Sequence, residues 1–198
     1  MSITAQAVKE LRDRTGSGMM DCRNALEASD GEVEKAIEWL RKHGMAKGAK
    51  RAGRVASQGI VEPYIHLGGK IGVIVEVNCE TDFVARTDDF RKLAHELAMQ
   101  IAATAPLAVA RDEVPPEMVE RERSIHRDQV RESGKPEKVW DRIIDGKMEK
   151  FFQDSCLMEQ ASIRDSSRTV GDLVKEVSGK VGENVVVRRF ARFQIGEA

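Results

Sequence analysis

The apolar positions of this chain follow two rhythms, and the switch between them divides it. Over residues 1–45 they recur at helical spacing in three short runs. Thr4 stands where a helix cap belongs, ahead of Ala5, Val8 and Leu11 on one face, and Thr15-Gly16 supplies a stop. A second run begins near Gly18 and carries Cys22, Ala25 and Leu26 before Ser29-Asp30-Gly31. The third presents Val33, Ala36, Ile37 and Leu40 and ends at Gly44. Helices this short, joined by glycine turns, predict a compact three-helix head that is only marginally stable alone. Residues 46–58 break the pattern: Ala46-Lys47-Gly48-Ala49-Lys50-Arg51-Ala52-Gly53-Arg54 is basic and has no apolar face, so it reads as a linker and a domain boundary.

From Gly59 the period falls to two. Val61, Pro63, Ile65 and Leu67 share one side of a strand, Gly68-Gly69 signals a hairpin turn, and Ile71, Val73, Val75 and Val77 share one side of the return. Pro63 has no N–H to give a ladder, which puts the first strand at an edge or bulges it. Helical spacing returns with Phe90, Leu93, Ala94, Leu97, Ala98, Ile101 and Ala102, where the alanines allow close packing on the sheet. Pro115-Pro116 opens a charged helix that breaks near Gly134 and restarts at Pro136 with Trp140, Ile143, Ile144, Met148, Phe151 and Phe152. This predicts an antiparallel helical hairpin over 115–154 that projects from the core. Thr169 precedes a helix with Val170, Leu173, Val174 and Val177, and Val185–Phe193 closes as a strand with its arginines on the wet face. The fold class is α+β: a three-helix head, then a core domain over 59–198 with a three-stranded antiparallel sheet packed with helices.

Composition changes this picture little. The 198 residues are 41% hydrophobic and 33% charged, with Lys+Arg 32 against Asp+Glu 33 and a net charge of -1. That balance gives no overall drive toward nucleic acid or acidic membranes. No apolar run approaches the roughly 20 residues of a bilayer-spanning helix. The start, Met1-Ser2-Ile3-Thr4-Ala5-Gln6, has neither a basic n-region nor an apolar h-region. Cys22, Cys79 and Cys156 are far apart and odd in number, which suits a reducing compartment, and the expectation is a cytoplasmic protein.

Catalytic constellations are missing from the sequence. It has no phosphate-cradling G-x-x-x-x-G-K-[ST] stretch, and Gly16-Ser17-Gly18 lacks the rest of a dinucleotide fingerprint. His95-Glu96 is followed four residues after the histidine by Met99, so the zinc-peptidase pair is absent. The chain is expected not to be an enzyme and to carry no cofactor and no metal. Two recognition candidates remain. Met19-Met20 either fills the head core or offers a polarizable contact surface, and at least one of two adjacent helical residues must face out. Thr81-Asp82-Phe83-Val84 leaves the valine strand as either an inward anchor plus a cap or an exposed wedge; composition and spacing alone favour the first, with Phe83 buried and Asp82 capping the next helix.

These stretches carry a resemblance. Leu11-Arg12-Asp13-Arg14-Thr15-Gly16-Ser17-Gly18-Met19-Met20-Asp21-Cys22 closely resembles the opening signature of the elongation factor Ts family. So does Glu76-Val77-Asn78-Cys79-Glu80-Thr81-Asp82-Phe83-Val84-Ala85-Arg86, and Gly182-Glu183-Asn184 with Arg188–Phe193 is a third match. The resemblance implies a guanine-nucleotide exchange factor that binds elongation factor Tu carrying GDP and speeds its release. It implies a ubiquitin-associated-like head that touches the GTPase domain through Arg12, Met19 and Met20. Thr81, Asp82, Phe83 and Val84 would form the exchange loop, which in the family pushes between helices beside the nucleotide and disturbs the magnesium site. The chain departs from the family at Ala161-Ser162, where a Pro-Phe pair is usual after Glu159-Gln160. It resembles a short form with one sheet unit, which implies a homodimer, with no membrane and no direct nucleic-acid partner. The residues leave other classes open: an RNA- or ribosome-binding protein using Lys47, Lys50, Arg51, Arg54 and Arg188, Arg189 and Arg192, or a module that recognises ubiquitin-like partners through the head alone.

Overall fold

The computed structural model describes residues 3–197, so the Met1-Ser2 start of the predicted head and the terminal Ala198 fall outside the described residues. Among them lie eight α-helices and a three-stranded antiparallel sheet ordered β1-β2-β3, an α+β fold. No helix among these residues is long and apolar enough to cross a membrane. The chain divides into two compact units, the first Met1–Val61, Val77–Ala94 and Asp172–Val186, the second Glu62–Glu76, His95–Gly171 and Val187–Ala198.

The first unit begins with α1 (Ala5–Thr15), α2 (Met19–Ala28) and α3 (Val33–Ala49). Thr4 caps α1 by accepting the Ala7 N–H, and Gly16 ends it in the left-handed conformation at φ 65°. Val8, Leu11, Cys22, Ala25, Leu26, Ala36 and Leu40 form the buried cluster, joined by Ile3, Ala7, Val33, Ile37 and Trp39. Ala5 is exposed, contrary to the spacing, because Val8 and Leu11 set the inward stripe and Ala7 flanks it. Gly44 does not end α3 either. The helix continues through Gly48 to Ala49, and Gly48 there admits another backbone. A Cβ on Gly48 would lie 2.1 Å from the Lys175 carbonyl oxygen, and one on Gly179 would lie 2.1 Å from that of Gly44. Lys175 and Gly179 belong to α8 (Val170–Val181), so the glycines mark a close helix crossing rather than stops.

β1 (Gln58–Ile65) and β2 (Ile71–Cys79) meet at Gly68 and Gly69, with φ +87° and +68°, and the Gly69 N–H bonds to the His66 carbonyl at 2.9 Å. β1 is an edge strand, as Pro63 requires. On β2, Val73, Val75, Val77 and Cys79 alternate into the core. α5 (Asp88–Thr104) buries Phe90, Leu93, Ala94, Leu97, Ala98, Ile101 and Ala102, the stripe read from spacing. The short α4 (Asp82–Ala85) lies between β2 and α5.

In the second unit, α6 (Pro116–Glu132) and α7 (Trp140–Ser155) pair around Val130, Ile144 and Met148, with Val119, Trp140, Ile143, Phe151 and Phe152 against them. The Arg111 guanidinium donates to both Glu149 oxygens at 2.8 and 2.7 Å and to Glu159, and sits 4.7 Å over the Phe152 ring. Gln100 holds the Ala161-Ser162 stretch. Its amide N–H donates to the Ala161 carbonyl at 3.1 Å, and its oxygen accepts the Ile163 N–H at 2.9 Å. The helix-facing side of β1 makes polar contacts: Glu62 meets His95 at 2.9 Å, and the Tyr64 ring stands edge-on to it. The opposite side leaves Ile65 and Leu67 exposed.

β3 (Val186–Gln194) completes the sheet. Arg188 and Arg189 are exposed, and Arg189 pairs with Glu76 at 2.7 Å. Arg192 is not on the wet face. Its guanidinium turns inward to the Ala102 carbonyl at the end of α5, at 3.3 and 3.4 Å, an acceptor the helix itself leaves unsatisfied.

Candidate partner-binding surface

Thr81 is the N-cap of α4, not Asp82. Its hydroxyl accepts the Val84 N–H at 3.4 Å, which starts the single helical turn. Within that turn Val84 and Ala85 face inward and are buried. Successive residues on a helix diverge by about 100°, so with those places taken Phe83 is turned out and is 78% exposed. The expectation from composition therefore fails on both counts: Phe83 is not core, and Asp82 is not the cap. Asp82 instead sits in the first turn, paired with Arg86 at 2.8 Å. Of the loop residues, Phe83 and Thr81 are exposed and Asp82 partly so, while Val84 is buried.

The loop is fixed by a carboxylate a hundred residues away in sequence. Glu183 Oε2 accepts the N–H groups of Glu80 (3.0 Å) and Thr81 (2.9 Å), and Oε1 accepts the Thr81 hydroxyl at 2.6 Å. Glu80 answers by accepting the Asn184 N–H at 2.7 Å, and the Asn184 side chain donates to the Arg54 carbonyl at 2.8 Å. Under the loop, the Cys79 thiol donates to the Thr81 carbonyl at 3.1 Å. Burial pushes that thiol above its usual range and the Glu183 charge adds to the shift, so it is a poor nucleophile at neutral pH. The sequence flagged Gly182-Glu183-Asn184 only by resemblance and gave it no role. No local periodicity could have paired it with Glu80-Thr81.

On the head, Arg12 is exposed, and so are both methionines, Met19 at 47% and Met20 at 65%. The core-filling alternative for the pair falls: the buried stripe of α2 starts at Cys22, one turn further on. Beside them, a cleft of about 280 Å³ is lined by Arg14, Ser17, Gly18, Trp39, Arg41 and Lys180, among others. The basic stretch after the head is partly engaged internally, with Lys47 on Asp21 at 2.6 Å and Arg54 3.5 Å from Glu80.

The family model described as "Elongation factor TS" matches residues 24–197. A protein of Desulfosudis oleivorans named "Elongation factor Ts" is 57% identical over 196 residues, covering 99% of both chains. One of Moorella thermoacetica with the same name is 58% identical over 195 residues, covering 98% of this chain and 96% of its own. A third, from Fervidobacterium nodosum, is 55% identical over 197 residues and covers all of both. Similarity of this depth along the whole length defines a translation elongation factor. The chain belongs to the elongation factor Ts family.

Proposed function

We propose that the chain is a guanine-nucleotide exchange factor: it binds elongation factor Tu carrying GDP and accelerates release of the nucleotide by contact, without covalent chemistry. The observation that carries the reading is Phe83, a large apolar side chain presented to solvent from a turn whose neighbours are buried or hydrogen-bonded. Unpaired aromatic surface on a fixed turn suits insertion into a partner. Phe83 with Asp82 enters beside the nucleotide and disturbs the magnesium site, while Arg12, Met19 and Met20 hold the GTPase domain.

Magnitudes require both parts. A thousandfold weakening of GDP binding needs about 4 kcal/mol of coupling between factor and nucleotide. Burying one Phe side chain supplies about 1.5–3 kcal/mol, part of it used to part the partner's helices. The exposed methionines supply binding free energy that the loop converts into strain. Sites of this kind need no cofactor. The setting is the cytoplasm, and internal pairing of Lys47 and Arg54 supports a protein partner rather than RNA.

We also propose a homodimer through the open sheet face of the second unit. Ile65 lies over Gly72, 3.1 Å from where a Cβ would be, so by alternation it shares a face with Ile74; Arg189, paired with Glu76, puts Phe193 on that face too. Ile65, Ile74 and Phe193 are all exposed, and a second copy would cover them. The test of the exchange reading is direct. Mixing the chain with elongation factor Tu loaded with fluorescent GDP and excess unlabelled nucleotide should accelerate loss of fluorescence, and an unchanged release rate overturns it.

A further inference from the structure

We infer that Glu183 is a positioning residue of the exchange step, holding the Thr81 turn in the shape that presents Phe83; this rests on the exchange reading above. One carboxylate takes three donors from two consecutive residues: the N–H groups of Glu80 and Thr81 and the Thr81 hydroxyl. The hydroxyl is a relay, donating to Glu183 while accepting the Val84 N–H that begins α4. Charge on Glu183 therefore strengthens the cap from which Phe83 projects. Glu183 is itself fixed: Gly182 turns the chain at φ +81° after α8, and the Ser178 hydroxyl donates to the Glu183 carbonyl at 2.6 Å.

The same end of α8 reaches the head. The Lys180 ammonium pairs with Asp89 at 2.7 Å, in the first turn of α5 just beyond the loop. On its way it passes so close to Gly16 that a Cβ there would lie 2.5 Å from Nζ. Gly16 opens the turn before Met19 and Met20. One helix end thus bears on both recognition features, and Glu183 is its link to the loop. A wedge transmits strain only if its own direction is fixed, because an unheld side chain spends the contact in reordering itself.

The experiment uses the full chain and the partner GTPase loaded with fluorescent GDP, followed by stopped flow over a range of factor concentrations. Glu183→Ala should lower the maximal release rate about tenfold while the half-saturating concentration moves less than about threefold. Glu183→Gln should fall between the natural chain and Glu183→Ala, since its amide oxygen still accepts both N–H groups while its NH2 cannot accept the Thr81 hydroxyl. Adding Glu183→Ala to Phe83→Ala should slow release no further, because the first acts through the second. Thiol labelling supplies a readout independent of exchange. In Glu183→Ala, Cys79 should label about tenfold faster as the turn opens, with Cys22 and Cys156 unchanged. Full rate in Glu183→Ala, additive slowing in the double variant, or all the thiols labelling together would each overturn the assignment. If Phe83→Ala alone leaves release unchanged, the exchange reading falls, and the role given to Glu183 falls with it.

Discussion

Phe83 shows how a single side chain can be steered against its own preference. Free of context an isolated aromatic goes inside, yet here Val84 and Ala85 occupy the inward positions and the Thr81 cap fixes the start of the turn. Removing the ring should leave the fold intact and separate two quantities. Phe83→Ala is expected to keep affinity for the partner within about threefold and to lose about tenfold or more of the release rate. Met20→Ala should do the opposite, raising the half-saturating concentration and sparing the maximal rate. Stopped-flow titration reads both, and equal losses in either variant would sink the division of labour. At this scale the sequence was least informative. Spacing leaves two places open for Met19 and Met20, and α2 decides between them by burying its stripe only from Cys22 onward. Ala5 lost the inward place that spacing gave it, and Arg192 turned toward a helix end that no strand pattern could reveal.

Helices and strands were far more legible, since their signals are local. Thr4, Gly16, Pro63, Gly68-Gly69 and the apolar stripe of α5 each state a rule that the backbone obeys. The glycines of α3 state a different one, visible only once α8 lies across them. Two helix-interior substitutions separate the cases. Gly146→Ala in α7 meets open space and should stabilise by about 0.5–1 kcal/mol. Gly48→Ala drives a methyl into the Lys175 carbonyl and should destabilise by about 1–3 kcal/mol despite the same gain in propensity. Thermal melts measure both signs. The hairpin of α6 and α7 carries a pH dependence through Arg111. Its hydrogen bonds hold the Glu149 carboxyl below the usual carboxylate range. A depressed folded pKa gives stability that is present above the unfolded value of about 4.3 and lost as pH falls through the folded one. Between about pH 6 and pH 3 the melting temperature should therefore fall further in the natural chain than in Arg111→Met.

At the scale of the whole molecule, α+β was readable from the order of periodicities, but not the way the chain returns on itself. The first compact unit draws on segments from the beginning, middle and end of the chain, a grouping that hydrophobic patterning cannot express. The open face of the second unit was readable only as a side of a strand, with no indication of what covers it. Its proposed occupant is a second copy. Ile65→Asp with Phe193→Asp is expected to convert a dimer to a monomer in sedimentation while leaving the circular dichroism spectrum unchanged, since each buried apolar side chain contributes about 1.5–3 kcal/mol to such a contact. A natural chain that sediments as a monomer would refute the dimer.

The bond between Thr81 and Glu183 joins residues 102 apart. Such closure is among the slower events of folding, since the loop entropy is lost before the contact repays it. During synthesis the residues of the turn emerge from the ribosome well before their carboxylate does. A nascent chain can therefore form the helices of its head, yet it has no finished wedge until Glu183 has followed. On the exchange reading, the factor reaches its full rate only once its own synthesis is nearly finished.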